Sequence, residues 1–184
     1  EPHIARGDIY FAEKQFVDAR RVYYSVQKMF PESLLPKMKL ADVLRAGNEF
    51  EEAVKVYDTI VSKDPSYVGV YKQMALTYAD YARFKDDTGL LQKGVDNYFK
   101  YHGLIGESLE ADNEIASYFI KNKAYKALGD LVRMKWYTRG DNFYMYRYGA
   151  IADFQNGKFL DAKKSIDMYF DVQKDKSQIL PIDY

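Results

Sequence analysis

One motif occurs twice in the chain, with every position shifted by the same step of 34. The segments 16-FVDARRVYYSVQKMFPES-33 and 50-FEEAVKVYDTIVSKDPSY-67 share it. Phe16, Ala19, Tyr23 and Pro31 of the first segment become Phe50, Ala53, Tyr57 and Pro65 of the second. Apolar residues in both segments recur every three or four positions, which is typical of amphipathic helices. Two antiparallel helices with tight turns take roughly 34 residues, so the spacing predicts a helical repeat.

The same phase continues along the chain. A large apolar residue opens the second helix of each predicted pair, at Phe16, Phe50, Leu91, Tyr125 and Phe159. A small residue precedes each of these on the first helix, and we name these five the crossing residues: Gly7, Ala41, Ala75, Ala116 and Ala150. Helix axes approach closely only where a side chain is small and a large partner fills the adjacent space. We therefore expect the crossing residues to be buried between paired helices.

One spacing departs from the rule. The step from Phe50 to Leu91 is longer by seven than the other steps. Seven residues make about two helical turns, so the apolar stripe returns nearly to the same face. The insertion lies near 81-YARFKDDTGLL-91 and predicts a longer helix pair or an extended turn. Elsewhere we expect the turns inside pairs at Gly47-Asn48 and Asn156-Gly157, because these residue types tolerate positive φ.

The whole pattern resembles the tetratricopeptide repeat family. The matching positions are the crossing residues, Tyr10, Tyr78, Ala19, Ala53, Ala162, Tyr23, Tyr57, Tyr98, Pro31 and Pro65, whereas Gly94 and Leu128 depart from the pattern. The resemblance implies an all-α, right-handed superhelical solenoid of about five antiparallel helix pairs, with one repeat lengthened by the insertion. We expect a single domain over 1–184, in units of 1–33, 34–67, 68–108, 109–142 and 143–176, with 177–184 starting a further unit.

Softer features suggest where such a protein works. The abundance of tyrosine, the stretch 27-QKMFPESLLPKMKLADVL-44 and the tail 179-ILPIDY-184 are similar to bacterial members of the family, of a Bacteroidetes-type envelope kind. The apolar tail is not a polar cap, so we interpret the chain as a segment of a longer repeat protein that could self-associate through uncapped ends. A periplasmic or outer-membrane-associated location is favoured over the cytoplasm.

The residues that catalysis would need are sparse. There is no Cys, and His3 and His102 do not stand in a metal-binding spacing, so we expect surface or helix-capping roles for both. The stretch 103-GLIGES-108 lacks the lysine of a phosphate-binding loop. The sequence therefore predicts no catalytic, cofactor-binding or metal-binding residues, and no enzyme.

Charge argues against nucleic acid as the main partner, although a local basic patch stays open, and hydropathy argues against a membrane span. Lys+Arg and Asp+Glu both number 27, and this balance argues against nucleic acid, which favours a basic face. The sequence contains no apolar run long enough to cross a bilayer, so no membrane span is expected.

The family resemblance also implies a concave groove lined by the first helices. Its positions on this chain are Ile4, Asp8, Phe11, Met38, Asp42, Arg45, Lys72, Leu76, Ala79, Asn113, Ser117, Ile120, Arg147, Ile151 and Phe154. Relatives that clamp a C-terminal carboxylate carry Lys and Asn at the first two positions of a unit, and this chain has Ile4/Asp8, Met38/Asp42 and Lys72/Leu76 there. That clamp is therefore absent. The alternative for each residue is packing between units.

An aromatic patch is a second candidate. The segment 133-RMKWYTRGDNFYMYRYG-149 interleaves aromatic and basic residues, with Trp136, Tyr137 and Tyr144 as its named members. Such residues stack on ligands or enrich interfaces, but they also pack between adjoining helices.

Three functions follow in order of preference. The first is a non-enzymatic scaffold that binds a peptide or partner protein in the concave groove. The second is a lipoprotein component of bacterial envelope assembly or secretion. The third is a glycan-binding surface module that uses Trp136 and Tyr137.

Overall fold

The structure, a computed structural model, describes residues 2–106, 108–136 and 143–173, and these are all-α. Ten helices occur in the described residues, and short turns join the two helices of each pair. Their bounds are α1 Pro2–Ala12, α2 Phe16–Met29, α3 Leu35–Ala46, α4 Phe50–Lys63, α5 Val68–Lys85, α6 Thr88–Ile105, α7 Leu109–Lys121, α8 Tyr125–Trp136, α9 Tyr144–Gln155 and α10 Phe159–Val172.

The helices form two compact units, α1–α6 and α7–α10. Within each unit, consecutive helices pack side by side as helical hairpins. A single domain over the whole chain, with further repeats beyond it, stays a prediction. None of the described helices combines the length and the apolar character that crossing a bilayer requires.

The crossing residues lie where the sequence predicts. Ala41, Ala75 and Ala116 have no exposed surface. Gly7 is in the tightest position, because a Cβ atom built on it would lie 2.4 Å from Cε1 of Tyr23. Tyr23 is only 1 % exposed, so its ring cannot move into solvent to make room. Glycine at this crossing is therefore a steric requirement of the first helix pair.

The turns inside all five described pairs share one backbone feature. The residue two positions before the second helix has positive φ: Lys14 (60°), Asn48 (63°), Asp86 (54°), Lys123 (56°) and Gly157 (75°). In the second pair the N–H of Asn48 donates to the carbonyl of Arg45, and the N–H of Glu49 donates to the carbonyl of Leu44. These paired bonds define a Schellman motif, which satisfies the last carbonyls of the first helix. The sequence predicts positive φ for Asn48 and Gly157, but it does not predict positive φ for Lys14, Asp86 or Lys123.

The third pair is longer, as the insertion predicts. Both α5 and α6 have 18 residues, against 11 to 14 in the other helices. Lysine ammonium groups lie over tyrosine rings between these two helices, with Lys100 over Tyr71 at 4.4 Å and Lys72 over Tyr101 at 5.4 Å. Such cation–π contacts contribute about 0.5–1 kcal/mol each at exposed sites. They add cohesion between the two long helices.

The expectation that His102 lies near the end of a helix is confirmed, since it is in the last turn of α6, but the expectation of a surface position is wrong. Its side chain is 5 % exposed, because α6 continues to Ile105 and carries His102 on the same buried face as Val95 and Tyr98. Spacings of three and four residues place these three side chains on one stripe.

Replacing Gly7 with Ala should destabilise the protein by about 1–2 kcal/mol, because overpacking at Tyr23 outweighs the gain in helix propensity. Gly103 is the matched control, since it lies in α6 and nothing is within 4 Å of a Cβ built on it. Gly103→Ala should stabilise the protein by about 0.5–1 kcal/mol. Urea unfolding followed by circular dichroism measures both. Equal changes in the free energy of unfolding for the two variants would contradict the close contact between Gly7 and the Tyr23 ring.

Lys123→Gly should stabilise the protein by about 1 kcal/mol, because a left-handed conformation is costly for lysine and free of strain for glycine. Lys164→Gly is the control, since Lys164 is exposed in the interior of α10 and glycine there should cost about 1 kcal/mol. Thermal unfolding of the two variants should show melting temperatures that move in opposite directions. A drop for Lys123→Gly would refute the assigned turn geometry.

Candidate functional site

Two predicted groove residues are held by tyrosines of the core. The Tyr23 hydroxyl donates to Oδ1 of Asp8 at 2.6 Å, and the Tyr57 hydroxyl donates to Oδ1 of Asp42 at 2.7 Å. In both pairs the aspartate directly follows the crossing residue, and the tyrosine comes from the partner helix. The rings pack in the core while the hydroxyl groups reach the polar side of the first helix. Helix packing therefore fixes the position of both carboxylates.

The two carboxylates lie in different electrostatic surroundings. Burial raises the pKa of Asp8, but hydrogen bonds from Lys39 and Tyr23 outweigh it and hold that pKa below its ordinary value. The Lys39 ammonium lies 2.8 Å from Oδ1 of Asp8. Burial raises the pKa of Asp42 above its ordinary value, although the Tyr57 hydrogen bond and the Arg45 charge oppose it. Asp42 has no ion pair within 4 Å among the described residues.

Asp42 lines a cavity of about 520 Å³ within the α1–α6 unit. Three predicted groove residues meet there, namely Phe11, Asp42 and Arg45. The other lining residues come from the α3–α4 turn and from the end of α5: Ala46, Asn48, Phe50, Asp80, Arg83 and Phe84. The cavity therefore combines three phenyl rings with two carboxylates and two guanidinium groups.

The aromatic wall is anchored to α4. Phe50 is 5 % exposed and Phe84 is 63 % exposed, with their ring centroids 5.7 Å apart. Tyr81 stacks on Phe50 at a centroid distance of 5.5 Å, and its hydroxyl donates to Glu51. These contacts fix the end of α5 over the beginning of α4. Phe84 consequently presents an exposed apolar face in the cavity.

On the charged side of the cavity, formed by Asp42, Arg45, Asp80 and Arg83, the guanidinium group of Arg45 is held by weak contacts. Nη1 of Arg45 donates to Oε1 of Gln73 at 3.3 Å, and its Nε lies 3.9 Å from Oδ2 of Asp80. Both distances are long for charge-assisted contacts. Asp80 also forms an ion pair with Arg83 on its own helix. A guanidinium group has five N–H donors, so Arg45 keeps capacity for a ligand.

The seven-residue insertion supplies part of both the charged and the aromatic wall of the cavity. The helix α3 ends at Ala46, and the equivalent position one regular repeat later is Asp80, but α5 continues to Lys85. The added turns carry Arg83 and Phe84 into the cavity. Sequence reasoning located the insertion and did not assign these side chains to a site.

Several other predicted groove residues of this unit lie elsewhere. Ile4, Met38 and Ala79 are 8 % exposed or less and pack in the core. Lys72 contacts the ring of Tyr101, and Leu76 is half-buried.

The second unit holds the remaining predicted groove residues. Oδ1 of Asn113 accepts a hydrogen bond from Tyr148 at 3.2 Å, and the ring of Phe154, 57 % exposed, makes an edge contact with Phe159. Ser117 is exposed, and Ile120, Arg147 and Ile151 are half-buried.

The aromatic patch is only partly visible. Tyr144 is half-buried at the start of α9, and its ring centroid lies 4.2 Å from that of Phe143. The side chain of Trp136 and all of Tyr137 lie outside the described residues.

Metal chemistry finds no support in the described part of the chain, where no group of three His, Asp or Glu side chains is placed to hold an ion. The absence of cofactor and metal residues stays a prediction from sequence.

The repeat geometry agrees with comparisons to known proteins. The tetratricopeptide repeat family model matches residues 10–76, which run from α1 into α5 and include the tyrosines of both Tyr–Asp pairs. Residues 10–76 therefore match tetratricopeptide repeats. No curated protein matches the chain.

Solved structures share this fold over nearly the whole chain. A thermophilic TPR protein of Thermus thermophilus has 14 % identity and a TM-score of 0.57, and the match covers 96 % of this chain and 92 % of that one. A tetratricopeptide repeat protein from Parabacteroides merdae has 16 % identity and a TM-score of 0.54, with 94 % and 65 % covered. Identities this low establish the fold alone.

One similar structure is an assembly with partners. A chain from the structure of Naa15/Naa10 bound to HypK-THB has 16 % identity and a TM-score of 0.61. The match covers 95 % of this chain and 25 % of that chain. Tetratricopeptide repeats generally mediate protein–protein interaction, and scaffolds of this kind are generally non-enzymatic.

The two aspartates should respond oppositely to pH. The folded pKa of Asp8 lies below its unfolded value, so its stabilising contribution is present above the unfolded pKa and is lost as pH falls. The folded pKa of Asp42 is raised, so its contribution is present at low pH and is lost as pH rises through the folded pKa. Asp8→Asn should therefore lower the melting temperature at neutral pH, and Asp42→Asn should raise it.

Melting curves between about pH 3 and about pH 7, which span the ordinary Asp pKa, measure both effects. The difference from the unmodified protein should shrink towards the acidic end for both variants, because the aspartates become protonated there. Two variants that shift in the same direction at neutral pH would contradict the assigned surroundings.

Proposed function

We propose that this protein is a non-enzymatic scaffold that binds a peptide segment of a partner protein at the cavity between α1, α3 and α5. The observation that carries the proposal is the meeting of Phe11, Asp42 and Arg45 with the exposed ring of Phe84 in one cavity. Three of these residues come from the positions that the family resemblance assigns to its groove.

The composition of the cavity suits a peptide. Its volume, about 520 Å³, falls within the usual range of ligand sites, so it has room for more than one side chain. An apolar anchor would cover Phe84 and shield the edge of Phe50. Aromatic and Arg side chains are enriched among the residues that dominate binding energy at protein interfaces.

The polar groups of the cavity suit the peptide backbone. A peptide presents both N–H donors and carbonyl acceptors, and the cavity offers the Asp42 carboxylate as an acceptor and the Arg45 guanidinium as a donor. Asp42 is oriented by its bond from Tyr57 before any ligand arrives. Such preorganisation reduces the entropy lost on binding.

The more specific hypotheses about location and ligand have less support than a general protein-binding role. A bacterial origin and a periplasmic or outer-membrane-associated role stay predictions from composition. The glycan-binding alternative depends on Trp136 and Tyr137, whose side chains lie outside the described residues, and no described contact favours it.

Phe84→Ala should weaken binding of a selected peptide by about tenfold or more, because it removes the exposed half of the aromatic wall. A phage-displayed library of random peptides selected on the 184-residue chain supplies the ligand, and fluorescence anisotropy measures its Kd. Phe84 is solvent-exposed, so we expect the variant to keep the helical circular dichroism spectrum.

Phe159→Ala is the matched control, since Phe159 is also 63 % exposed but lies on α10. Its Kd should equal that of the unmodified protein. A library that yields no binding peptide, or a peptide insensitive to Phe84→Ala, would refute the proposed site.

A further inference from the structure

We propose that Arg45 of α3, together with the wall formed by the extended end of α5, makes this cavity selective for a peptide segment that places an acidic side chain next to a bulky apolar one. The inference rests on the proposed function, because it names the chemistry of the ligand at the same site. It derives from the charges and ring contacts of the cavity and from the insertion that brings them together.

The added turns form a wall that is fixed before a ligand binds. Tyr81 stacks on Phe50 and donates a hydrogen bond to Glu51, so the end of α5 is attached to the first turn of α4. Phe84 lies one turn further along α5 and its ring also contacts Phe50. A helix of ordinary repeat length would end near Asp80 and would lack this wall.

The solvent-exposed ring of Phe84 specifies the apolar part of the ligand. Phe50 is almost fully buried, whereas the neighbouring ring of Phe84 is 63 % exposed. Covering an exposed phenyl ring with an aliphatic or aromatic side chain removes apolar surface from water, which is favourable. Phe11, half-buried, lines the same cavity and extends the apolar surface across to α1. A bulky side chain fits this three-ring surface better than a small one.

The acidic part of the ligand is specified by Arg45. Its side chain is 27 % exposed, and its contacts with Asp80 and Gln73 are long. A carboxylate from a ligand could form two short parallel bonds with the guanidinium group, which is the strongest arrangement for this pair. Asp80 does not satisfy Arg45 fully because it also pairs with Arg83. The cavity therefore favours a negative charge at Arg45.

Asp42 limits the ligand to a single acidic residue. Its carboxylate lies one helical turn before Arg45, has no ion pair of its own in the described chain, and is held by Tyr57. A second acidic side chain in the cavity would meet this charge, and like charges at close range disfavour binding. The N–H groups of the peptide backbone suit Asp42 instead. The expected ligand thus carries one acidic side chain beside its apolar anchor.

A charge-swap selection tests the inference. The same random peptide library is selected on the unmodified chain, on Arg45→Glu and on Arg21→Glu, and the enriched peptides are exchanged between the three proteins. Arg21 is the control because its side chain is 74 % exposed and lies outside the cavity, and it pairs only with Asp18 in the described chain. Circular dichroism verifies that each variant is folded.

We expect the unmodified chain and Arg21→Glu to enrich an acidic residue next to an aromatic or large aliphatic one. Arg45→Glu should bind these peptides at least about tenfold more weakly and should enrich a basic residue at the same position. Arg45→Gln should bind acidic and neutral forms of a selected peptide equally. This second variant keeps the test valid if Arg45→Glu does not fold.

Two results would overturn the inference and leave the proposed function standing. One is a set of peptides that need Phe84 but show no preference for an acidic residue. The other is an acidic preference that persists in both Arg45 variants. If the unmodified chain enriches no peptide, the proposed function fails and this inference fails with it.

Discussion

The close contact between Gly7 and Tyr23 is the interaction on which the first repeats depend. A tyrosine ring from the second helix lies against the crossing residue of the first, and its hydroxyl binds the aspartate that follows. Tyr57 repeats the hydrogen bond at Asp42, and both Tyr57 and the crossing residue Ala41 are fully buried. Steric fit and a hydrogen bond thus set the register of two helices together. Because the carboxylate accepts a hydrogen bond from the buried tyrosine, packing of the tyrosine ring also fixes the position of a charge on the polar side of the first helix.

The cavity arises where the repeat departs from its own rule. In a regular array, each first helix ends at the same level, and α5 would stop beside the end of α3. The helix α5 continues for about one and a half turns beyond Asp80 and carries Arg83 and Phe84 past the α3–α4 turn, where the stacking of Tyr81 on Phe50 holds them. At the proposed site, the insertion adds Arg83 and Phe84 to the regular groove positions of Phe11, Asp42 and Arg45. The proposed binding chemistry therefore depends on regular and inserted positions together.

Much of the fold could be predicted because it depends on local periodicity. Crossing residues, helix pairs and the longer third pair all follow from apolar spacings within helices and from the regular step between pairs. Lys14 and Lys123 escaped prediction because lysine gives no sign of a left-handed conformation, which the Schellman hydrogen bonds impose on it. The cavity side chains escaped for a different reason. Their grouping depends on contact between an extended helix and the neighbouring turn, and Phe84 alone does not indicate that contact.

The second unit solves the same packing problem with other chemistry. Val132 occupies the position of Tyr23 and Tyr57, and it has no hydroxyl to hold a carboxylate. Tyr148 on α9 instead donates to Asn113 on α7, which joins the first helices of two consecutive pairs. The acceptor of this hydrogen bond is a neutral amide and not a carboxylate, so the contact carries no charge. Packing alone therefore does not require the Tyr–Asp arrangement. Of the two aspartates held in this way, Asp42 lines the cavity and Asp8 does not, so only the Tyr57–Asp42 pair bears on the proposed binding.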